Sequence, residues 1–236
     1  MCTNGCIEFA RTHLSRTDVS GKPVLEVGSC DVNGTIRRLV ESLGPAKYVG
    51  VDIVSGPGVD LICPAEKLVE RFGNESFDVV VTTEMLEHVR DWRTVIHNLK
   101  NVLRPGGILL ITTRSRGFHF HGYPADFWRY EVSDISRILA DMTLESVESD
   151  SSDSPGVFVR ARRPENFTEQ ATADIRLYSA VRHRRTHSAT LPDVIVSRGL
   201  SRAKSAACRW LPLSLQRGAR RGFDSLASGF GVRPGR

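Results

Sequence analysis

Six residues in two short stretches have the side chains for proton transfer or metal ligation. "EMLEHV" supplies Glu84, Glu87 and His88, and "FHFHGYPADFWRY" supplies His119, His121 and Asp126, with Arg129 beside them as a hydrogen-bond donor. An imidazole or carboxylate can take a proton near neutral pH, so His121, His88 and Asp126 are the candidate general bases. On an extended chain His119 and His121 share a face. With Asp126 and either Glu84 or Glu87 they can also be read as a site for a divalent cation such as Mg²⁺, although no spacing here is diagnostic of a metal. The second stretch holds six of the chain's 17 aromatic residues. A connecting loop normally carries small polar residues, so these rings should be covered, either by the core or by a bound ligand.

A second set of residues sits at the ends of apolar runs. "LEVGSCDVNG" places Glu26 two residues before Gly28, and "YVGVDI" places Asp52 24 residues after that glycine. A glycine at a strand-to-helix turn lets the backbone approach a ligand, and an acid about twenty residues on suits the two hydroxyls of an adenosine ribose. The turn continues Ser29-Cys30-Asp31 rather than G-x-G-x-x-G, which argues against a pyrophosphate and for a ribose-bearing, zwitterionic ligand.

These residues need a scaffold, and the pattern from 24 to 113 provides one. "PVLEVG", "YVGVDI", "FDVVVTT" and "GGILLITT" alternate with amphipathic segments. That alternation predicts a doubly wound, mostly parallel sheet covered on both faces. In "WRTVIHNLKNVL", Trp92, Val95, Ile96, Leu99, Val102 and Leu103 recur at three and four, and Pro105 ends the helix. "EVSDISRILADM" reads as a further helix capped by Ser133 or Asp134, followed by closing strands in "LESVESD" and "GVFVRARR".

"VLEVGSCDVNG", "YVGVDI", "PAEKL", "FDVVVTTEMLEHV" and "LRPGGILLITT" stand in the order and spacing of the class I S-adenosylmethionine-dependent methyltransferases, and over residues 20 to 160 the chain resembles their small-molecule and sugar branch. The resemblance implies a Rossmann-like, seven-stranded α/β sheet with S-adenosylmethionine as cofactor. It implies that Glu26, Gly28, Ser29 and Cys30 lie at the methionine part, Asp52 at the ribose, and Ile53, Ala65 and Glu66 around the adenine, with Thr83 and Glu84 closing the pocket. Cys30 replaces the usual second glycine, and Pro64 the acid often found before the adenine-contacting alanine. "HGYPADFWRYE" is similar to a segment of saccharide methyltransferases, which makes the aromatic loop an expected acceptor wall for a sugar or related polyhydroxy molecule. No "NPPY"-type tetrad follows the fourth strand, which argues against amino methylation of adenine or glutamine.

The domains expected are an N-terminal helix or cap over 1–20, the cofactor domain over 21–163 and a basic extension over 164–236, with helices at 171–185 and 194–221. Residues 160–236 hold 16 Lys+Arg against 5 Asp+Glu, whereas residues 1–159 hold 16 against 22. A basic tail admits an RNA methyltransferase as a second reading, although no RNA-binding module is visible and nucleic acid is not the expected partner. A binding or assembly protein that keeps the fold without turnover is the third. Five scattered cysteines give neither a disulfide framework nor a zinc knuckle. No apolar run reaches the roughly 18 residues of a membrane span, and no signal peptide is seen, so a cytoplasmic location is expected. The tail helices are expected to cover the acceptor pocket or to join subunits in a homodimer.

Overall fold

The structure is a computed structural model that describes residues 3–209 apart from 33, 123–124 and 151–153. Tyr123 and Pro124 of the aromatic stretch, and the 210–221 part of the expected last helix, therefore lie outside the described residues.

Helices α1 (Asn4–His13) and α2 (Arg16–Val19) precede β1 (Pro23–Val27), α3 (Arg37–Ser42), β2 (Lys47–Asp52) and β3 (Leu61–Ile62). Then come α4 (Leu68–Phe72), β4 (Phe77–Thr83), α5 (Trp92–Asn101) and β5 (Leu103–Arg114). β6 (Trp128–Arg129), α6 (Val132–Ile138), β7 (Thr143–Ser149) and β8 (Gly156–Arg162) follow. Seven strands form one sheet in the order β3-β2-β1-β4-β5-β8-β7, parallel except that β8 runs antiparallel to both its neighbours.

Strand alternation divides the core between the two faces. Val24, Val79, Val81, Ile108 and Leu110 pack with Cys6, Phe9 and Ala10 of α1 and with Val40 of α3. Leu25, Val27, Val80, Leu109 and Ile111 pack on the opposite face with Leu68 of α4, Trp92, Val95, Ile96 and Leu99 of α5, and Ile135 and Ile138 of α6. Two local expectations differ. Glu131 is the N-cap of α6, in a capping box with Asp134, because a carboxylate one turn earlier reaches the free amides equally well. Leu103 belongs to β5, which starts before Pro105 and absorbs the Pro-Gly-Gly segment as a register shift opposite Phe77 and Val79.

Past β8 the chain returns to this domain. β9 (Leu177–Ser179) and β10 (Arg185–Thr186) form an antiparallel hairpin where a helix was expected over 171–185, and α7 (Leu191–Arg209) follows. β9 pairs with β6, matching Trp128 to Ser179 and Arg129 to Tyr178, so the aromatic stretch ends in an edge strand of a second, three-stranded sheet whose inner strand is β9. Ile175, Leu177 and Ala189 join the main core. Pairing to a distant strand has overridden local helical preference here. Among the described residues no helix is long and apolar enough to cross a membrane.

Candidate active site

The carboxyl ends of β1, β2 and β4 open into a cavity of about 660 Å³. That is within the range of small-molecule and cofactor sites and leaves room for a nucleoside-sized ligand beside a second molecule. On one side it is lined by Gly28, Cys30, Asp52, Ile53, Ala65 and Glu66, and near its centre by Glu84 and Met85. Gly28 has φ +80°, and a Cβ there would meet the Met85 side chain at 2.8 Å, so the turn is held open by the missing side chain. The Asp52 carboxylate accepts from the amides of Cys30 (3.1 Å) and Ile53 (2.7 Å), which fixes its direction and leaves lone pairs for a ligand. A carboxylate fixed at the strand end, a glycine cradle and a small apolar slot at Ala65 and Ile53 fit the ribose, methionine and adenine parts of S-adenosylmethionine.

Three residues expected at the cofactor stand behind this lining. Glu26 is 2% exposed and accepts from the Tyr48 hydroxyl at 2.7 Å; burial pushes its carboxyl up to about 7, against the pull of that hydrogen bond. Ser29 packs under the glycines at 50 and 58, and Thr83 is buried. All three support the turn rather than face the cavity.

The other side of the cavity is made by His88, Val89, Arg90, Ala125, Phe127, Leu191, Val194 and Arg198. His88 and Phe127 were among the residues singled out from sequence, whereas Val89 and Ala125 were not; the Met-Leu-x-x-Val spacing of "EMLEHV" was the available signal for Met85 and Val89. Leu191, Val194 and Arg198 arrive from α7, in the region where a tail helix was expected to cover the acceptor pocket, although no local signal named these three residues.

His88, His121 and Asp126 are brought together but play different parts. His88 Nδ1 lies 2.6 Å from the Ala125 carbonyl, which can only accept, so the proton of the neutral ring is on Nδ1 and the lone pair on Nε2. Burial pulls the His88 pKa down, with Glu87 opposing, and keeps this ring neutral. His121 has a carboxylate at each nitrogen: Asp126 at 3.1 Å from Nδ1 and Glu87 at 3.5 Å from Nε2. Burial opposes its charge, but its contacts with the two acids outweigh burial and raise its pKa. Asp126 is fully buried and gripped by Arg129 at 2.5 and 2.7 Å; burial would raise its carboxyl, yet Arg129 and His121 hold it well below the usual range. His119 is exposed. Glu84, with φ +53°, turns its carboxylate onto the buried Arg114 and lies 3.5 Å from the Cys6 thiol.

The aromatic residues expected as an acceptor wall are mostly core. Phe120, Trp128 and Tyr130 are buried, Trp128 Nε1 donates to the Val89 carbonyl (2.9 Å), and the Tyr130 hydroxyl donates to that of Leu86 (3.2 Å). Arg114 lies over the Phe118 ring. Among the described aromatics of this stretch, Phe127 lines the cavity. Hiding apolar rings beneath β9 and α7 outweighs offering them to a ligand.

Residues 7–139 match the family described as "Methyltransferase domain". The chain belongs to that methyltransferase family. It is similar to a probable phthiotriol/phenolphthiotriol dimycocerosates methyltransferase 2 of Mycobacterium ulcerans, 37% identical over 105 residues that make up 39% of this chain and 40% of the relative. It is 34% identical to the mitochondrial ubiquinone biosynthesis O-methyltransferase of Homo sapiens over 129 residues, covering 45% and 35% of the two chains. The chain thus spans less than half the length of these curated relatives. Among solved structures, an S-adenosylmethionine dependent methyltransferase from Mesorhizobium loti superposes with a TM-score of 0.53 at 17% identity, over 68% of this chain and 98% of the other. At that identity the likeness concerns the fold: the seven-stranded, mostly parallel methyltransferase sheet.

Proposed function

We propose that this methyltransferase moves the methyl group of S-adenosylmethionine to a hydroxyl of a small molecule with an apolar body. The observation that carries this reading is His88: its Nδ1 is committed to the Ala125 carbonyl, its Nε2 makes no hydrogen bond, and the ring lines the cavity next to the Glu84-Met85 turn. A hydroxyl is a weak nucleophile until it sheds its proton, so a neutral imidazole beside the donor suits a hydroxyl acceptor. Bound S-adenosylmethionine supplies an electrophilic methyl on a sulfonium. With that donor bound, the acceptor oxygen would form its bond to the methyl carbon as the carbon–sulfur bond broke with its electron pair going to sulfur, and His88 Nε2 would take the hydroxyl proton. Gly28 and Asp52 hold the donor, while Met85, Phe127, Leu191 and Val194 orient the acceptor and exclude water.

Those apolar walls favour an aromatic or alkyl-bearing alcohol or phenol over a saccharide, whose expected stacking surface is largely spent on the core. The similarity to a ubiquinone-pathway O-methyltransferase supports the same direction. The RNA reading loses support because arginines of the extension are engaged within the chain: Arg182 pairs with Asp193 and Arg185 with Asp134.

Calorimetry with S-adenosylmethionine is expected to show binding that Asp52→Ala weakens at least tenfold. A panel of phenols, alkyl alcohols and sugars with labelled donor is expected to label the first two classes. His88→Ala is expected to cut kcat by roughly 10²–10⁴ with donor affinity unchanged; labelling only of sugars, or a His88→Ala enzyme of normal rate, would overturn the reading.

A further inference from the structure

The polar corner behind His88 is built in a way that a proton acceptor alone does not require. Three ligand-type atoms converge there: Glu87 Oε1, His88 Nε2 and His121 Nε2, all within 4.8 Å of one another. His121 Nε2 is 3.5 Å and His88 Nε2 3.9 Å from Glu87 Oε1. Glu87 is 0% and His121 8% exposed in the side chain, and among the described residues Glu87 Oε1 and His121 Nε2 are shut off from solvent with no hydrogen-bond partner beyond their own 3.5 Å contact. Leaving such atoms unsatisfied is costly, most of all for a charged group.

The far side of each residue is occupied. Glu87 Oε2 accepts from the Thr113 hydroxyl (2.9 Å), His88 Nδ1 donates to the Ala125 carbonyl (2.6 Å), and His121 Nδ1 meets Asp126 Oδ2 (3.1 Å), itself gripped by Arg129. Metal-bound histidines use their second nitrogen in just this manner, toward a carbonyl or a carboxylate, which fixes the tautomer and turns the other nitrogen inward. A plain imidazolium–carboxylate contact closes to about 2.7–2.9 Å when free to do so. Two ligands of one ion, each about 2.1 Å from it, stand roughly 3 to 3.5 Å apart; the 3.5 Å between Glu87 Oε1 and His121 Nε2 meets that, while the 3.9 Å at His88 and the widest spread of 4.8 Å require the side chains to draw in around the ion.

We propose that Glu87, His88 and His121 bind a divalent transition-metal ion, of the zinc or manganese type, whose open position faces the cavity at His88. Two imidazoles and one carboxylate suit such an ion better than Mg²⁺, which favours oxygen ligands and water. The proposal differs in its residues from the cation site expected from sequence: His88 enters, Asp126 becomes the support for His121, and His119 is outside. It rests on the hydroxyl-methylation reading and deepens it. An ion there would take the acceptor oxygen as a further ligand and lower its pKa, so that the hydroxyl proton is released to the buffer as the acceptor enters, before the oxygen forms its bond to the methyl carbon and the carbon–sulfur bond breaks with its electron pair going to sulfur. His88 then acts as a ligand in that step, and the ion carries the acid–base work.

The test uses the full chain, stripped with a chelator and titrated with Co²⁺ at about pH 8, following visible absorption, with Zn²⁺ and Mg²⁺ as competitors. One equivalent of Co²⁺ is expected, displaced by Zn²⁺ and not by a large excess of Mg²⁺. Glu87→Gln and His121→Ala are expected to weaken binding at least 100-fold, and Asp126→Asn roughly 10–100-fold. Glu87→Gln is nearly isosteric and keeps the test valid if an alanine variant misfolds. S-adenosylmethionine binding is measured on the same samples. Normal donor binding with no stoichiometric Co²⁺ uptake overturns the metal site and leaves the methyltransferase reading intact, whereas Co²⁺ uptake without donor binding sinks that reading instead. Uptake unchanged in both Glu87→Gln and His121→Ala also overturns the assignment.

Discussion

Glu26→Gln separates the ionisation of a buried carboxyl from its shape. Glu26 lies on β1, is 2% exposed and has the Tyr48 hydroxyl at 2.7 Å. Burial lifts its pKa from an ordinary 4.5 to about 7. A carboxyl raised on folding binds its proton more tightly in the native state, so its contribution to stability is complete below about pH 4.5 and is lost as pH rises through 7. With roughly 1.4 kcal/mol per pKa unit, the native state loses about 3 kcal/mol across that window through this one group. Glutamine keeps the volume and an acceptor for Tyr48 but cannot ionise; its extra N–H₂ carries a cost that is the same at every pH. The quantity to read is therefore a double difference: urea unfolding of both proteins at about pH 5 and pH 8. The variant is expected to gain about 2.5 kcal/mol on the wild type between the two conditions, whatever its absolute stability, since the unfolded carboxyl is already mostly ionised at pH 5. A double difference within about 0.5 kcal/mol of zero would mean that Glu26 is charged in the native state, and that burial does not dominate its environment.

Lys100 and Asp141 form a buried pair at 2.7 Å, with Lys100 also donating to the Ile138 carbonyl. Lys100→Met is expected to cost about 3–5 kcal/mol in urea unfolding, with much of that recovered in the Lys100→Met/Asp141→Leu double variant. Gly28→Ala, which forces a Cβ against Met85 at positive φ, is expected to lower S-adenosylmethionine affinity at least tenfold by calorimetry and folding stability by about 1–2 kcal/mol. Ser197 accepts from the Asp126 amide (2.8 Å) and donates to the Asp126 carbonyl (3.1 Å); Ser197→Ala is expected to cost about 1–3 kcal/mol and to speed amide exchange across 125–130.

The cavity lining around Gly28 and Asp52 was legible because its signals are local. Gly28, Asp52, Ala65 and Glu84 each sit at the carboxyl end of a strand or just beyond one, so strand periodicity and a turn residue locate them together. The acceptor half was not legible for the opposite reason. Whether Trp128 and Tyr130 face a ligand or the core depends on β9 pairing with Trp128, some fifty residues later, and no local pattern carries that information. His121 looked like a base because composition shows an imidazole and not its neighbours; Glu87 and Asp126, at either end of the ring, decide its role. Glu26, Ser29 and Thr83 were read as contacts because motif proximity does not distinguish the face of a strand that lines a cavity from the face that supports it.

The family match ends at residue 139, yet the outer wall of the cavity comes from α7. On the proposed reading, donor and acceptor recognition are divided between different stretches of chain, with Gly28 and Asp52 in one and Leu191, Val194 and Arg198 in the other. Such a division makes substrate choice an exchangeable trait: the last helix can be varied, or replaced by that of a relative, to admit a new acceptor while the methyl-donor cradle goes untouched.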